Sequence, residues 1–406
     1  MDSWESQAYS YIKLLGSTLV TCFLTFLIFI NSAYPCQAEP SERGFLKLEL
    51  EFLHEYQLPK QQFADTSVGG LSAIAYDRDR DRFYVLSDDR SDKAPARFYT
   101  LKLDIDEGKS DKPNKTNKPK LDRVQVESVT FLRNPQGEFY PKGEIDPEGL
   151  AIAFKSVYIS SEGVTRAGIP VFINEFDLET GKWLQSLPIP SRYLPATTGE
   201  APKGIEDNLG FEALTLVQDI PGDPFRIFAA TESALAQDKD SDVTREQNNG
   251  AKSRMLHYLV GVGPTQVVSE HLYPLEPNPT IGINGLTELL AIDRGGHFLS
   301  LERSFDGLKF GAKIFQIATG SANDISGIPS LRDNPGKVKP IRKQLLLDLD
   351  ELGIRLDNLE GMTLGGSLAD GSQSLVLVSD DNFQNAQVNQ FYCFALGRNA
   401  RGCHLL

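Results

Sequence analysis

Apolar and polar positions alternate along much of the chain in short runs separated by Gly, Pro, Asn and Asp, the period-two pattern that predicts β-strands. One such run recurs five times. SAIAY from Ser72, EGLAI from Glu148, EALTL from Glu212, ELLAI from Glu288 and EGMTL from Glu360 each open on a polar residue and continue small or apolar. Their mean spacing is about 72 residues, which marks an internal repeat. Each copy is followed by a second strand that ends in acidic or hydroxyl residues: FYVLSDD (83–89), VYISSE (157–162), IFAATE (227–232), HFLSLE (297–302) and LVLVSDD (375–381). Two more alternating runs complete a copy, as at 171–178 and 183–189 around the turn ETGK.

Four strands per unit and five units are the arithmetic of an all-β fold, a β-propeller of five blades. A sixth blade hidden in the long connections is the alternative. The fifth copy supplies three strands, the third at 389–396, while FLKLELEFLH (45–54) belongs to no copy. That N-terminal strand is therefore expected to complete the last blade and close the ring without a free edge.

Composition narrows the class. Of 406 residues, 40% are hydrophobic and 24% charged, as in a soluble globular protein. Acidic side chains outnumber basic ones by 55 to 41, and no basic stripe is present. Nucleic acid is excluded as a partner, because its backbone requires clustered Lys and Arg. An apolar run at 14–30 followed by small residues up to Ala38 reads as a secretory signal cleaved after that residue, an uncleaved anchor being the alternative. The domain map is thus a leader at 1–38 and a single propeller domain at 39–406, secreted or held in the periplasm or cell envelope, with no membrane attachment once the leader is removed. Cys22 and Cys36 fall in the leader; Cys393 and Cys403 either form a disulfide or stay as thiols. Polar insertions at 106–120, 236–252 and 319–340 read as solvated loops without packed cores.

In an antiparallel pair the start of one strand lies beside the end of the next. The opening residue of each copy and the acid closing its second strand should therefore meet at one mouth of the central channel. Glu148, Glu212, Glu288 and Glu360 would converge there with Asp88, Asp89, Glu162, Glu232, Glu302, Asp380 and Asp381, and with loop oxygens from Asp146, Asn208, Asn284 and Asn358. So many carboxylates raise one another's pKa unless cations compensate. Arg90, Arg166 and Arg303 follow the acidic termini and are one source of compensation. A hard, oxygen-preferring ion such as calcium is the other, with Glu148, Glu212, Glu288, Glu360 and Asp380 as its candidate ligands. The five histidines lie outside the acidic termini, which disfavours zinc, copper or iron. Repeated glutamates also serve blades as plain hardware, accepting backbone N–H groups or pairing with Arg. The first copy breaks the symmetry, with Ser72 in place of Glu and Asp88, Asp89 and Arg90 opposite; a specific substrate would bind at that asymmetric point, with Arg166 beside it.

GLSAI with LSDDR (70–74 and 86–90), DPEGL with ISSEG (146–150 and 159–163) and NLEGM with VSDDN (358–362 and 378–382) resemble the phytase-like, or esterase-like, secreted family, over about residues 45–396. The resemblance implies a propeller, export, and hydrolysis of phosphoester or carboxylic ester bonds in a small-molecule substrate. The dense Lys/Arg clamp of calcium-dependent β-propeller phytases is not visible, which argues against phytate. For a metal-assisted hydrolase, Glu148 or Glu360 would orient or deprotonate water and Arg90 or Arg303 would steady the developing anion. A lactonase-type propeller is a near variant. The alternative is a non-catalytic envelope propeller whose mouth binds a ligand or protein, since the fold hosts both classes.

Overall fold

The computed structural model describes residues 44–108, 117–196, 201–218, 220–241, 250–277, 282–332 and 337–398. The predicted leader, Cys403 and the central parts of the first two polar insertions lie outside the described residues. All described strands belong to one compact unit, Phe45–Ala400. Among the described residues no helix is long and apolar enough to cross a membrane.

Five four-stranded antiparallel sheets are present. Blade 1 is β4 (Leu71–Asp77), β5 (Arg82–Ser87), β6 (Arg97–Asp106) and β7 (Lys120–Phe131). Blade 2 is β8 (Pro147–Ala153), β9 (Ser156–Ser161), β10 (Phe172–Asp177) and β11 (Trp183–Ser186). Blade 3 is β12 (Phe211–Val217), β13 (Phe225–Thr231), β14 (Lys252–Val260) and β15 (Gln266–Pro274). Blade 4 is β16 (Ile283–Ala291), β17 (His297–Phe305), β18 (Phe310–Ala318) and β19 (Arg342–Asp348). Blade 5 takes β20 (Asn358–Ser367), β21 (Gln373–Asp380) and β22 (Asn389–Arg398) from the end of the chain and β1 (Leu48–Leu58) from its start. The innermost strands close a ring, β4 on β8, β8 on β12, β12 on β16, β16 on β20 and β20 on β4. The molecule is a five-bladed propeller.

The orphan strand does what its alternation requires. β1 pairs antiparallel with β22 from Leu48 opposite Arg398 to Leu58 opposite Asn389 and covers the edge that β22 would expose. A small hairpin, β2 (Gln61–Phe63) with β3 (Thr66–Val68), follows it and turns through Ala64 and Asp65, both at positive φ. The apolar faces of neighbouring blades pack into separate clusters. Leu58, Leu71, Val85, Tyr99, Val376 and Phe391 join blades 5 and 1, for example, and Leu299, Leu301, Ile314, Leu359, Leu377 and Phe394 join blades 4 and 5.

The third insertion departs from the expectation of a coreless loop. Ile325, Leu331 and Val338 bury against Leu272 of β15. The second insertion meets it around Arg254, whose fully buried guanidinium reaches Asp238, Glu270 and the Ile328 carbonyl. Asp238 in turn accepts the Leu331 N–H at 2.7 Å. Polar composition hid this core because its few apolar residues find their partners on another element. Cys393 is buried in β22, and burial pushes its thiol up to about 12.

Candidate functional site at the channel mouth

Every innermost strand begins with a β-bulge, which re-aims a side chain locally. The bulges fall at Ser72, Glu148 with Gly149, Glu212, Thr287 and Glu360. This register corrects the expectation for blade 4. Leu286 stands opposite Glu302 and Glu288 opposite Leu301, so Thr287 occupies the place that Glu148, Glu212 and Glu360 hold elsewhere. An innermost strand is buried on both faces, and a continuous apolar run such as LLAI does not specify its own register. Glu288 consequently lies deeper in the channel. Its carboxylate accepts the N–H groups of Leu289 at 2.9 Å and Leu214 at 3.4 Å. Burial pushes it well above the usual carboxylate range, against the pull of N–H groups from Leu289, Leu214 and Met362.

The hydroxyls in the two remaining bulges tie blades together. Ser72 Oγ donates to the Glu148 carbonyl at 3.1 Å, and Thr287 Oγ1 donates to the Leu359 carbonyl at 3.4 Å. Ser72 is therefore an inter-blade link, not a group facing the mouth.

The mouth itself is a cavity of about 350 Å³, walled by Asp88, Asp89, Arg90, Lys93, Asp146, Glu148, Asn208, Glu212, Arg303, Asn358, Glu360, Asp380, Asn382 and Phe383. Glu148, Glu212, Glu360, Arg90, Arg303, Asp88, Asp89 and Asp380 come together as the repeat predicts. Arg166 does not: it is 70% exposed and faces Asp207 at 3.4 Å. Glu302 is also drawn elsewhere, accepting from Tyr273, the Glu276 N–H, Asn284 and Lys343. Asp89 is committed to structure. It accepts the N–H groups of Asp92, Lys93 and Ala94 and pairs with Arg97 at 2.8 Å. Burial alone would raise its pKa, but Arg97 and those N–H groups outweigh burial and hold it below the ordinary value.

The other mouth carboxylates go the opposite way. Burial pushes Asp88 well up, and Asp380, Glu360 and Asp146 add to the effect. Burial, then Glu212 and Asp146, do the same to Glu148, while burial with Glu232 and Glu162 raises Glu212. Asp380 is pushed up to about 7 by burial. Asp146 reaches about 6, since Arg90 opposes burial, and Glu162 about 8 through burial, Glu232 and Asp146. Glu360 is raised by burial and Asp380. One of its oxygens accepts from Asn358 Nδ2 at 2.7 Å; the other, Oε2, is buried without a hydrogen-bond partner among the described residues.

Two arginines compensate in part. Arg90 Nε donates to Asp146 at 2.6 Å and Nη2 to Asn208 at 3.0 Å. Arg303 spans blades, with Nη2 2.7 Å from Glu232, Nη1 2.7 Å from Asn358 and 3.5 Å from Glu360, while its Nε has no acceptor among the described residues. Two oxygen-only groups have the spacing of a cation site, Asp146 with Glu148 and Glu162, and Glu162 with Glu212 and Glu232; within each the ligand atoms lie within 4.8 Å of one another. No histidine joins them, so the donor set suits a hard cation.

Asp146, expected as a loop oxygen, is a wall carboxylate, and Lys93, Asn382 and Phe383 join the wall without a sequence signal of their own. The last two stand at φ 46° and 51°, a conformation costly for side chains other than Gly. Phe383 rests on Gly70, where an added Cβ would sit 2.5 Å from the ring and 2.1 Å from Asp88 Oδ1. Gly70 is itself at φ 61°, so the Gly-Gly pair makes room for both groups as well as turning the chain.

Fold and site together define a β-propeller with an acidic, cation-compatible mouth, built on repeated strand-opening glutamates. The family described as "Phytase-like: Esterase-like activity of phytase" matches residues 66–383, and the chain belongs to it. No curated protein matches the chain. Among solved structures, an endo-arabinase from Bacteroides thetaiotaomicron is similar at 12% identity over 82% of this chain and 97% of its own, with a TM-score of 0.40. A hypothetical protein from Leishmania major is 8% identical over 88% and 94%, with a TM-score of 0.39. These likenesses are too remote to bear on function.

Proposed function

We propose that the protein is an exported, metal-dependent hydrolase of phosphoester or carboxylic ester bonds acting on a small molecule at the acidic mouth. The observation that carries this reading is the convergence in one cavity of Asp88, Asp146, Glu148, Glu212, Glu360 and Asp380 with two arginines, both already paired. Asp146, Glu148 and Glu162, or Glu162, Glu212 and Glu232, would hold a calcium ion, with Glu360 and Asp380 adding negative charge to the same mouth; when bound, the ion would polarise an ester oxygen and lower the pKa of a water. The positive charge of such an ion would offset both burial and mutual repulsion and favour the ionised carboxylates, so that Glu148 could accept the proton of an attacking water and return it to the leaving oxygen. Glu360, whose Oε2 has no hydrogen-bond partner among the described residues, would orient that water. Arg303 lends the wall positive charge beside the developing anion, while Arg90 keeps Asp146 in position.

A second reading has support of its own. Asp89, Asp381 and Glu232 are held by backbone N–H groups or Arg, as blade hardware is, which favours a propeller that binds a ligand without turning it over. Assays of the mature protein on aryl phosphates, phosphodiesters, phytate and short acyl esters, with and without calcium, separate the two. Calcium-dependent turnover of one class is the expected result; uniform inactivity in a folded, calcium-loaded sample supports the binding reading.

A further inference from the structure

We infer that Lys93 is the anion-binding arm of the mouth and that the ester taken there carries a negative charge at the reacting group, a phosphoester in preference to a neutral acyl ester; this rests on the hydrolase reading above. Among the described residues three cationic side chains line the cavity. Arg90 is spent on Asp146 and Asn208, and Arg303 on Glu232, Glu360 and Asn358. Lys93 differs, since among the described residues it forms no ion pair with a carboxylate. Its ammonium instead lies 5.1 Å from the centre of the Phe383 ring.

That resting place is built. The Lys93 backbone N–H is fixed on the Asp89 carboxylate at 3.1 Å, so the exposed side chain starts from an anchored point at the rim. Phe383 is held by its N–H on Asp381 Oδ1, the same oxygen that takes the Gly70 N–H at 3.0 Å. Two successive left-handed residues, Asn382 and Phe383, persist only where the surroundings impose them, and such strain gathers at functional sites. A cation on an aromatic face near solvent is held weakly, so a stronger partner draws it off. A phosphoryl oxygen above the carboxylate floor is such a partner, through a charge-assisted hydrogen bond. A neutral acyl ester offers Lys93 nothing comparable. Phe383 thus parks the arm away from the acids that would otherwise capture it.

Phenyl phosphate and phenyl acetate share a leaving group and differ in the charge of the reacting group, which makes them the test pair for wild type, Lys93→Met, Lys93→Arg and Phe383→Leu, all calcium-loaded. In Lys93→Met the ratio of kcat/KM for phenyl phosphate over phenyl acetate should fall roughly tenfold, the order expected for one charge-assisted contact. Lys93→Arg should restore it in large part, and Phe383→Leu should shift it less. Calorimetric titration with inorganic phosphate gives a readout without turnover: Lys93→Met should weaken binding by a similar factor. An unchanged ratio and unchanged phosphate affinity in Lys93→Met overturn the inference. Phosphate binding that depends on Lys93 in a protein that cleaves neither ester would sustain the anion site and remove the hydrolase reading.

Discussion

The Asp89 carboxylate and the Arg97 guanidinium meet at 2.8 Å with side-chain exposures of 1% and 0%, under the rim of the acidic mouth. Asp89 thereby organises the loop that carries Arg90 and Lys93, through the N–H groups of Asp92, Lys93 and Ala94. Arg97 also donates to Tyr99 and to the Ser67 carbonyl of the small hairpin. Arg97→Met should strand a buried charge and cost about 3–5 kcal/mol, the usual penalty for breaking one side of a buried pair. Urea unfolding measures it; an unshifted midpoint would mean that the loop N–H groups hold Asp89 unaided.

Stability should fall as pH rises when no divalent ion is present. Asp146, Asp380 and Glu162 have folded pKa values near 6, 7 and 8, raised by burial above those of the unfolded chain. Between the unfolded value of about 4 and these folded values the native state binds more protons, so stability present at low pH is lost through the window from about 5 to 8. With chelator present, the melting temperature should be higher at pH 5 than at pH 8. A rising or flat profile counts against carboxylates that stay protonated in the fold.

Calcium should oppose that loss, because an ion that binds the folded state stabilises it by mass action. At pH 8, millimolar calcium should raise the melting temperature and chelator lower it. Glu148→Gln and Glu360→Gln should each blunt the response while raising the metal-free baseline, since each removes a repelling charge. No calcium response in the wild type would leave the mouth as blade hardware.

The register of blade 4 yields a separate test. Glu288→Gln should keep the calcium response in full, as its carboxylate lies among backbone N–H groups and outside the mouth. Glu288→Ala, which orphans the Leu289 N–H, should cost about 1–3 kcal/mol. Thr287→Glu should place a fourth bulge carboxylate in the mouth, lowering the metal-free melting temperature and enlarging the calcium shift. Were Glu288→Gln instead to behave like Glu148→Gln, the register assignment would fail.

The repeat by itself determined the class, an all-β propeller, and left five blades against six for the structure to decide. A two-residue period, repeated copies and one spare strand point to a ring whose last blade is completed by β1, because β22 would otherwise expose an unpaired edge. It also determined that Glu148, Glu212, Glu360 and Asp380 share a mouth, since strand ends in an antiparallel blade are adjacent whatever the blade angle. Tertiary structure decided the rest. Glu288 and Thr287 exchange places because a strand buried on both faces has no pattern to fix its register, and only pairing with β17 does so. Asp89 and Glu302 bear the same sequence marks as Asp380, yet Arg97 commits Asp89 to structure within the wall and Lys343 draws Glu302 out of the mouth. Lys93 and Phe383 come from loops of blades 1 and 5 that meet because the chain closes on itself. No local pattern encodes that contact, which exists once β4 packs on β20.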